Sequence, residues 1–473
     1  MQGPSSPPIT AFLPQWVAQQ RWYAGKGRVP AMRRIGGLQL LDPDGQVDID
    51  VHLLLDESAY PATTYQVPLT SRAAPLPGAE HALIAMLEHD SLGTRYVYDG
   101  PHDPVFAAAL LRLMLDKGTT DSDGTQGSVV AAGHRVAAAD PGQLVASHVL
   151  TGEQSNTSII LDLADKHGVA SSPLICKLFR VLHHGENPDV VVQSALADAG
   201  SMRVPHPVGY VSGEWPDAET SDGLASGHLA FAQEFLPDVS DAWRVALAAV
   251  TSGTDFSERA HSLGLATAEI HATLAHTMGT RGATDEDIVA LTRSMRSRHA
   301  AAVSEVPALA AYDSMVAESI DSVSSATWPA LQRIHGDYHL GQVLDVPHRG
   351  WVLVDFEGEP LRPLPERSRP DLALRDVAGM LRSFDYVAGS WERLHPDRSA
   401  APWAERARAA FLDGYAHGSG HDPRADAVLL HALELDKALY EVVYEARNRP
   451  TWLSIPTTAI ARLAAEPRSD LQP

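Results

Sequence analysis

A single cysteine, Cys176, stands among 473 residues. No intrachain disulfide can form, and the chain suits a reducing compartment. Lysine is almost as scarce. It occurs only at positions 26, 117, 166, 177 and 437, and arginine carries most of the positive charge. No apolar run approaches the roughly 20 residues of a membrane span. The opening MQGPSSPPITAFLP has no basic stretch followed by an apolar core. The sequence therefore predicts no membrane segment, no signal peptide and a cytoplasmic location. Positive charge is in deficit: the net charge is −22, which argues against nonspecific binding to nucleic acid or an anionic membrane. Any site for a phosphorylated ligand must then build its own local positive field or recruit a metal ion.

What is present is a core. Hydrophobic residues make up 44% of the chain, as in globular proteins, and the length suggests about two to four domains. Short alternating runs at Leu38–Leu41, Val47–Leu55, Tyr65–Leu69 and Tyr96–Tyr98 read as an antiparallel sheet. Before them, PQWVAQQRWYAGKGR predicts a short helix ending near Gly25 and packing on that sheet. A helix over 104–118 follows, then strands over 129–180 and 205–236. From 241 onward the apolar spacing is almost entirely helical, as in Leu263, Ala266, Ile270 and Leu274. His271 on that helix reads as a packed core histidine.

One stretch interrupts the helices. Residues 331–360 read LQRIHGDYHLGQVLDVPHRGWVLVDFEGEP, two short apolar runs about the turn Pro347-His348-Arg349-Gly350. This is a β-hairpin pattern. Asp337 precedes the first run, Gln342 opens it and Asp355 ends the second. Two carboxylates and a carboxamide thus gather at one end of a small sheet. Phosphoryl transfer needs such a set: one Asp to take the proton of the attacking hydroxyl, and a second Asp with an amide oxygen to hold Mg²⁺ on the nucleotide phosphates. The order Asp337-x-x-x-x-Gln342 followed by Asp355-Phe356-Glu357 parallels D-x-x-x-x-N followed by D-F-G. His335 and His339 flank Asp337 like metal ligands, but Gly336 breaks any helix and no H-E-x-x-H order is present.

A nucleotide site is also predicted upstream. LTGEQSNTSIIL, 150–161, reads strand–turn–strand, where Ser155, Asn156 and Thr157 can donate to phosphates. Lys177 lies within the apolar strand PLICKLFR, either facing solvent from an edge or pairing the phosphates. Its carboxylate partner is left open among Asp189, Glu186 and Glu153. Asn187 caps the next helix, with Pro188 as its first residue. Gln233, Glu234 and Phe235 form an extended hinge whose backbone can read adenine. On the acceptor side, the helix LELDKALYEVVYEARNRP places Lys437, Glu441, Tyr444 and Asn448 on one face. Tyr440 lies nearby and Trp452 stands beyond the Pro450 stop. Ser383, Asp385, Tyr386 and His335 complete the candidate acceptor contacts. Asp376 is expected to support the loop of Asp337 by a hydrogen bond.

The blocks QQRWYAGKGR, GEQSNTS, KLFR…NPD, QEFLPD, HGDYHLGQVL, DFEGEP and YEVVYEARNRPTWLSIP together resemble the bacterial maltokinases of the aminoglycoside-phosphotransferase, protein-kinase-like superfamily. They span residue 15 to about 460. The resemblance implies an α+β, two-lobed protein-kinase-like fold. Residues 1–105 would form an N-terminal cap subdomain, 106–236 the rest of a β-rich nucleotide-binding lobe, and 237–473 a mostly helical lobe with the catalytic loop and sugar site. It implies ATP and Mg²⁺ as cofactors, with Asp337 as base, Gln342 and Asp355 as Mg²⁺ ligands and Lys177 on the phosphates. The reaction implied is phosphorylation of maltose at its anomeric hydroxyl. The product, maltose 1-phosphate, would serve α-glucan synthesis in partnership with trehalose synthase, and the chain is expected as a monomer or small homo-oligomer. Glucosamine kinases share much of this pattern, so an aminosugar or aminoglycoside acceptor is the alternative.

Overall fold

The computed structural model describes residues 12–58, 60–89, 92–120, 129–137, 140–152, 156–359 and 362–465. The chain divides into two compact units, Met1–Val190 with Pro205–Pro237, and Val191–Val204 with Asp238–Pro473.

The first unit is built on two antiparallel sheets. In one, strands Met32–Leu40, Val47–Asp56, Thr63–Arg72, Gly93–Asp99 and Leu83–His89 lie side by side in that order, and the short strand Val181–Leu182 pairs with Thr63–Arg72. Period-two patterning fixes the faces: Val47, Ile49 and Val51 are buried while Asp48 is exposed. One side of this sheet is covered by Leu13, Val17, Trp22 and Tyr23, which pack on Leu54, Tyr65 and Val67. The helix there runs only from Leu13 to Ala18, shorter than its sequence suggests. Trp22 and Tyr23 are delivered by the turn after it, and the Tyr23 hydroxyl donates to Asp56 over 3.0 Å. The other side shares a core with helix Pro104–Leu115 and the second sheet.

That second sheet orders its strands Ala131–Arg135, Pro207–Pro216, Leu224–Glu234, Leu174–Phe179, Asn156–Ala164 and Gln143–Val149. Leu174–Phe179 is therefore an interior strand. Lys177 stands opposite Phe231 on one side and Ser158 on the other, and is only 6% exposed. The solvent-facing edge reading of this lysine is excluded.

The second unit is helical. Helices Ser257–Met278, Leu374–Leu394, Ala401–Ser419 and Ala427–Asn448 form its centre around one large apolar cluster. The first and third pack very closely. A Cβ at Gly264 would collide with the Phe411 carbonyl oxygen, and one at Gly414 with that of His261, so both positions need glycine. Helix Asp285–Glu305 begins with a capping box in which Thr284 and Asp287 satisfy each other's backbone N–H. A three-stranded sheet, Ser240–Asp241, Val343–Val346 and Gly350–Leu353, carries the predicted hairpin. Gln342 lies in a single 3₁₀ turn, Leu340–Gln342, just before the first hairpin strand, and not in the strand itself. Among the described residues, no helix is long and apolar enough to cross a membrane.

Candidate active site

The loop carrying Asp337 hangs on one buried carboxylate. Asp376, in the first turn of helix Leu374–Leu394, accepts from the backbone N–H of His335 at 2.7 Å and of Gly336 at 2.9 Å. His271 Nε2 lies 3.0 Å from the same carboxyl, and its Nδ1 lies 2.9 Å from the Tyr415 hydroxyl. Burial pushes the Asp376 carboxyl up. The hydrogen bond and charge of His271, aided by His335 and the Gly336 N–H, outweigh it and hold the group below the usual carboxylate range. Gly336 adopts φ +85°, a left-handed conformation that glycine tolerates without strain, and this turn sends Asp337 out of the loop.

His335 points inward. Its Nδ1 accepts from the Asp337 N–H at 3.4 Å, so its Nε2 is free to donate to the Val354 carbonyl at 3.0 Å. The ring packs 4.6 Å from that of Phe356. It ties the loop to the hairpin and does not line the cavity expected for the sugar, because both ring nitrogens are used internally.

Asp355 follows the hairpin with φ +68° and accepts from the Gln342 side-chain amide N–H at 2.9 Å. That bond leaves the Gln342 amide oxygen for another partner. Carboxylate and amide oxygens without nitrogen or sulfur donors are the set a hard cation such as Mg²⁺ takes. The residues present therefore fit that ion.

In the first unit, Lys177 Nζ lies 2.8 Å from Asp189 Oδ2, and both groups are buried. Asp189 is thus the partner that the sequence left open. Its own N–H donates to the Asn187 side chain at 2.8 Å, the predicted cap. Glu186 is exposed, and Glu153 lies outside the described residues. So does Ser155 of the proposed phosphate loop. Asn156 opens its strand, but Thr157 is buried and its hydroxyl accepts from Arg180 Nε at 2.7 Å, which turns it toward the interior of the unit. Gln233 and Glu234 end the strand Leu224–Glu234. The N–H groups of Glu234 and Phe235 already donate to the His206 and Pro173 carbonyls, so these two donors are not offered to a base.

Asp337 opens onto a cavity of about 390 Å³ in the helical unit. Helix Ala427–Asn448 forms one wall with Lys437, Tyr440, Glu441, Tyr444 and Glu445, and helix Leu374–Leu394 contributes Ser383 and Tyr386. Trp243 and Trp452 close the aromatic surround. Lys437 Nζ lies 2.9 Å from Asp337 Oδ1 and 2.9 Å from Glu359 Oε1. Burial weakens the ammonium's hold on its proton, but the Asp337 and Glu359 charges more than reverse this, so Lys437 stays a cation. Glu441 accepts from Arg382 Nη2 at 2.7 Å, and Glu445 from Arg449 Nη2 at 2.6 Å. Burial pushes the Glu441 carboxyl up, against the Arg382 charge.

Seven of the sugar candidates, Ser383, Tyr386, Lys437, Tyr440, Glu441, Tyr444 and Trp452, meet at this cavity. Three do not. His335 is turned inward. Asn448 donates to the Tyr444 carbonyl at 2.9 Å on the exposed side. Asp385 lies on a different cavity and is held by Arg382, Arg408 and Arg462 at 2.7, 3.3 and 3.0 Å. Glu359, Glu445, Arg449 and Trp243 are site residues that sequence reasoning missed. Continuing the i, i+4 steps from Lys437 and Glu441 would have reached Glu445 and Arg449.

A β-rich unit with a buried Lys–Asp pair, and a helical unit with a loop Asp before a hairpin ending in Asp, define a two-lobed, protein-kinase-like phosphotransferase fold. Residues 16–103 match the family described as the maltokinase N-terminal cap domain. A glucosamine kinase of Mycolicibacterium smegmatis is 30% identical over 347 residues, 68% of this chain and 82% of the relative. One from Streptacidiphilus jiangxiensis is 29% identical over 68% of this chain and 75% of its own. A glucosamine kinase solved with glucosamine, ADP and inorganic phosphate superposes with a TM-score of 0.65 at 24% identity, covering 96% of this chain and all of its own. The chain belongs to the family of these glucosamine kinases, and its own residues 16–103 form the part that matches a maltokinase-type cap.

Proposed function

We propose that this sugar kinase transfers the γ-phosphoryl group of ATP to the anomeric hydroxyl of maltose. The carrying observation is that each carboxylate facing the cavity is matched by a cation of the chain itself: Asp337 by Lys437, Glu441 by Arg382 and Glu445 by Arg449. A cationic acceptor calls for an unmatched carboxylate, whereas a neutral sugar does not. Tyr386, Tyr440, Tyr444, Trp243 and Trp452 surround the same space, offering flat faces and hydroxyls to pyranose rings. The cavity volume of about 390 Å³ falls within the range of small-molecule sites. The match of the cap to that of maltokinases supports the same reading.

In this reaction Asp337 accepts the proton of the attacking hydroxyl as the oxygen bonds to phosphorus. Lys437 Nζ, 2.9 Å from Asp337 Oδ1, balances the charge of that carboxylate before the acceptor hydroxyl arrives. Lys177, oriented by Asp189, holds nucleotide phosphate oxygens. Gln342 and Asp355 would hold Mg²⁺, which when bound neutralises charge on the transferring phosphoryl group. Maltose supplied from trehalose by trehalose synthase belongs to the same proposal.

An aminosugar acceptor is the second reading. The names of the relatives favour it more directly than they favour maltose, since both are glucosamine kinases. In that case Glu441 would exchange Arg382 for the substrate ammonium. The test compares kcat/KM for maltose, glucose and glucosamine at one Mg-ATP concentration, with the phosphorylated position read by NMR. Maltose is expected to lead both monosaccharides by roughly tenfold or more, because a truncated substrate leaves polar groups of the site without partners. Glucosamine in the lead would overturn the maltose reading.

A further inference from the structure

Beyond Tyr440, whose ring borders the sugar cavity on one side, lies a cleft of about 600 Å³ in the same helical unit. Arg293, Arg298, Arg362, Arg369 and Arg375 line it. In a chain of net charge −22 this is a local concentration of guanidinium groups. The acids on its wall are Asp287, Glu366 and Asp371. Asp287 is taken by Arg281 at 2.6 Å, and Asp371 by Arg375 at 2.7 Å. Arg293 and Arg369 are exposed, and their side chains make no hydrogen bond or ion pair among the described residues.

The inner arginines lead to the candidate base. Arg362 Nε lies 3.1 Å and Arg298 Nη2 3.9 Å from Glu359 Oε2, yet neither Arg362 Nε nor that oxygen is satisfied by a hydrogen bond. Arg362 is crowded by the Arg375 charge and by burial, both of which weaken its hold on its proton. The other oxygen of Glu359 holds Lys437, and Lys437 holds Asp337.

We propose that this cleft binds a phosphate-bearing small molecule, and that its occupancy acts on Asp337 through Glu359 and Lys437. Guanidinium forks match phosphate oxygens two at a time. Arg293 and Arg369 supply the outer contacts, and Arg362 the inner one. An anion that draws Arg362 away from Glu359 leaves that carboxylate to compete harder for Lys437. The Lys437–Asp337 pair loosens, and Asp337 is freed for the acceptor hydroxyl. The second step rests on the sugar-kinase reading; the binding step does not.

The test titrates the full chain with inorganic phosphate by calorimetry at constant ionic strength, beside the double variant Arg293→Gln/Arg369→Gln. Thermal melts establish that the variant is folded. Saturable binding is expected in the wild type and about tenfold weaker binding in the variant, a difference of about 1.4 kcal/mol. Turnover without added phosphate should be equal in both, and added phosphate should raise it only in the wild type. Equal binding in the two proteins, or none in either, overturns the site. A binding difference with no effect on turnover overturns the coupling and leaves the site. A binding difference in a protein that phosphorylates no sugar would instead overturn the kinase reading.

Discussion

Asp337→Asn is expected to lower kcat by roughly 10²–10⁴-fold, the usual contribution of a positioned base, while the melting temperature stays near that of the wild type. The side chain keeps its shape, and its amide oxygen can still accept from Lys437. Glu359, 2.9 Å from Lys437 Nζ, still compensates that cation, so no buried charge is left alone. What is lost is the ability to take a proton. Calorimetry should therefore find Mg-ATP affinity largely retained, and a stopped assay should find phosphoryl transfer all but gone. Turnover near the wild-type level would remove Asp337 from this role. A large drop in melting temperature would instead make the Asp337–Lys437 pair a structural strut.

The reach of the sequence follows the distance over which the site is assembled. Asp337, Gln342 and Asp355 flank the strands of one hairpin, so their spacing is visible in the sequence. Lys177 was conspicuous because lysine is rare in this chain and this one interrupts an apolar strand. Asp189 was nearby as the second residue of a capped helix. The charge system behind Asp337 had no such local signature. Arg298 reaches Asp436 across 138 positions, and Glu359 reaches Lys437 across 78. The packing of helix Asp285–Glu305 beside Ala427–Asn448 brings the first pair together, and the loop that follows strand Gly350–Leu353 carries Glu359 to the second. His335 misled in the opposite way, since residue type and spacing do not reveal whether a loop side chain turns in or out. Strand Leu83–His89 was overlooked because it has no fully buried position, and its alternation is correspondingly faint.

Asp376→Asn is expected to be the most damaging single change outside the reacting groups. The wild-type carboxylate offers both oxygens as acceptors to the N–H groups of His335 and Gly336 and meets His271 Nε2 as well. The amide replaces one oxygen with a donor, which then faces another donor in a site only 1% exposed. Removing one member of a buried charged network costs about 3–5 kcal/mol, and the melting temperature should fall accordingly. The pH dependence identifies the cause. The folded carboxyl is held below its usual range, so its contribution is fully present above the unfolded value near about 3.9. It is lost as pH falls through the lower folded value. The difference in unfolding free energy between wild type and variant should thus be flat from neutral pH to about pH 5 and shrink below about pH 4. Because this residue positions the loop without lining the sugar cavity, kcat should fall while KM for the sugar changes little. A KM rise with kcat intact would place Asp376 in acceptor binding, and a stability difference independent of pH would remove the charge from the explanation.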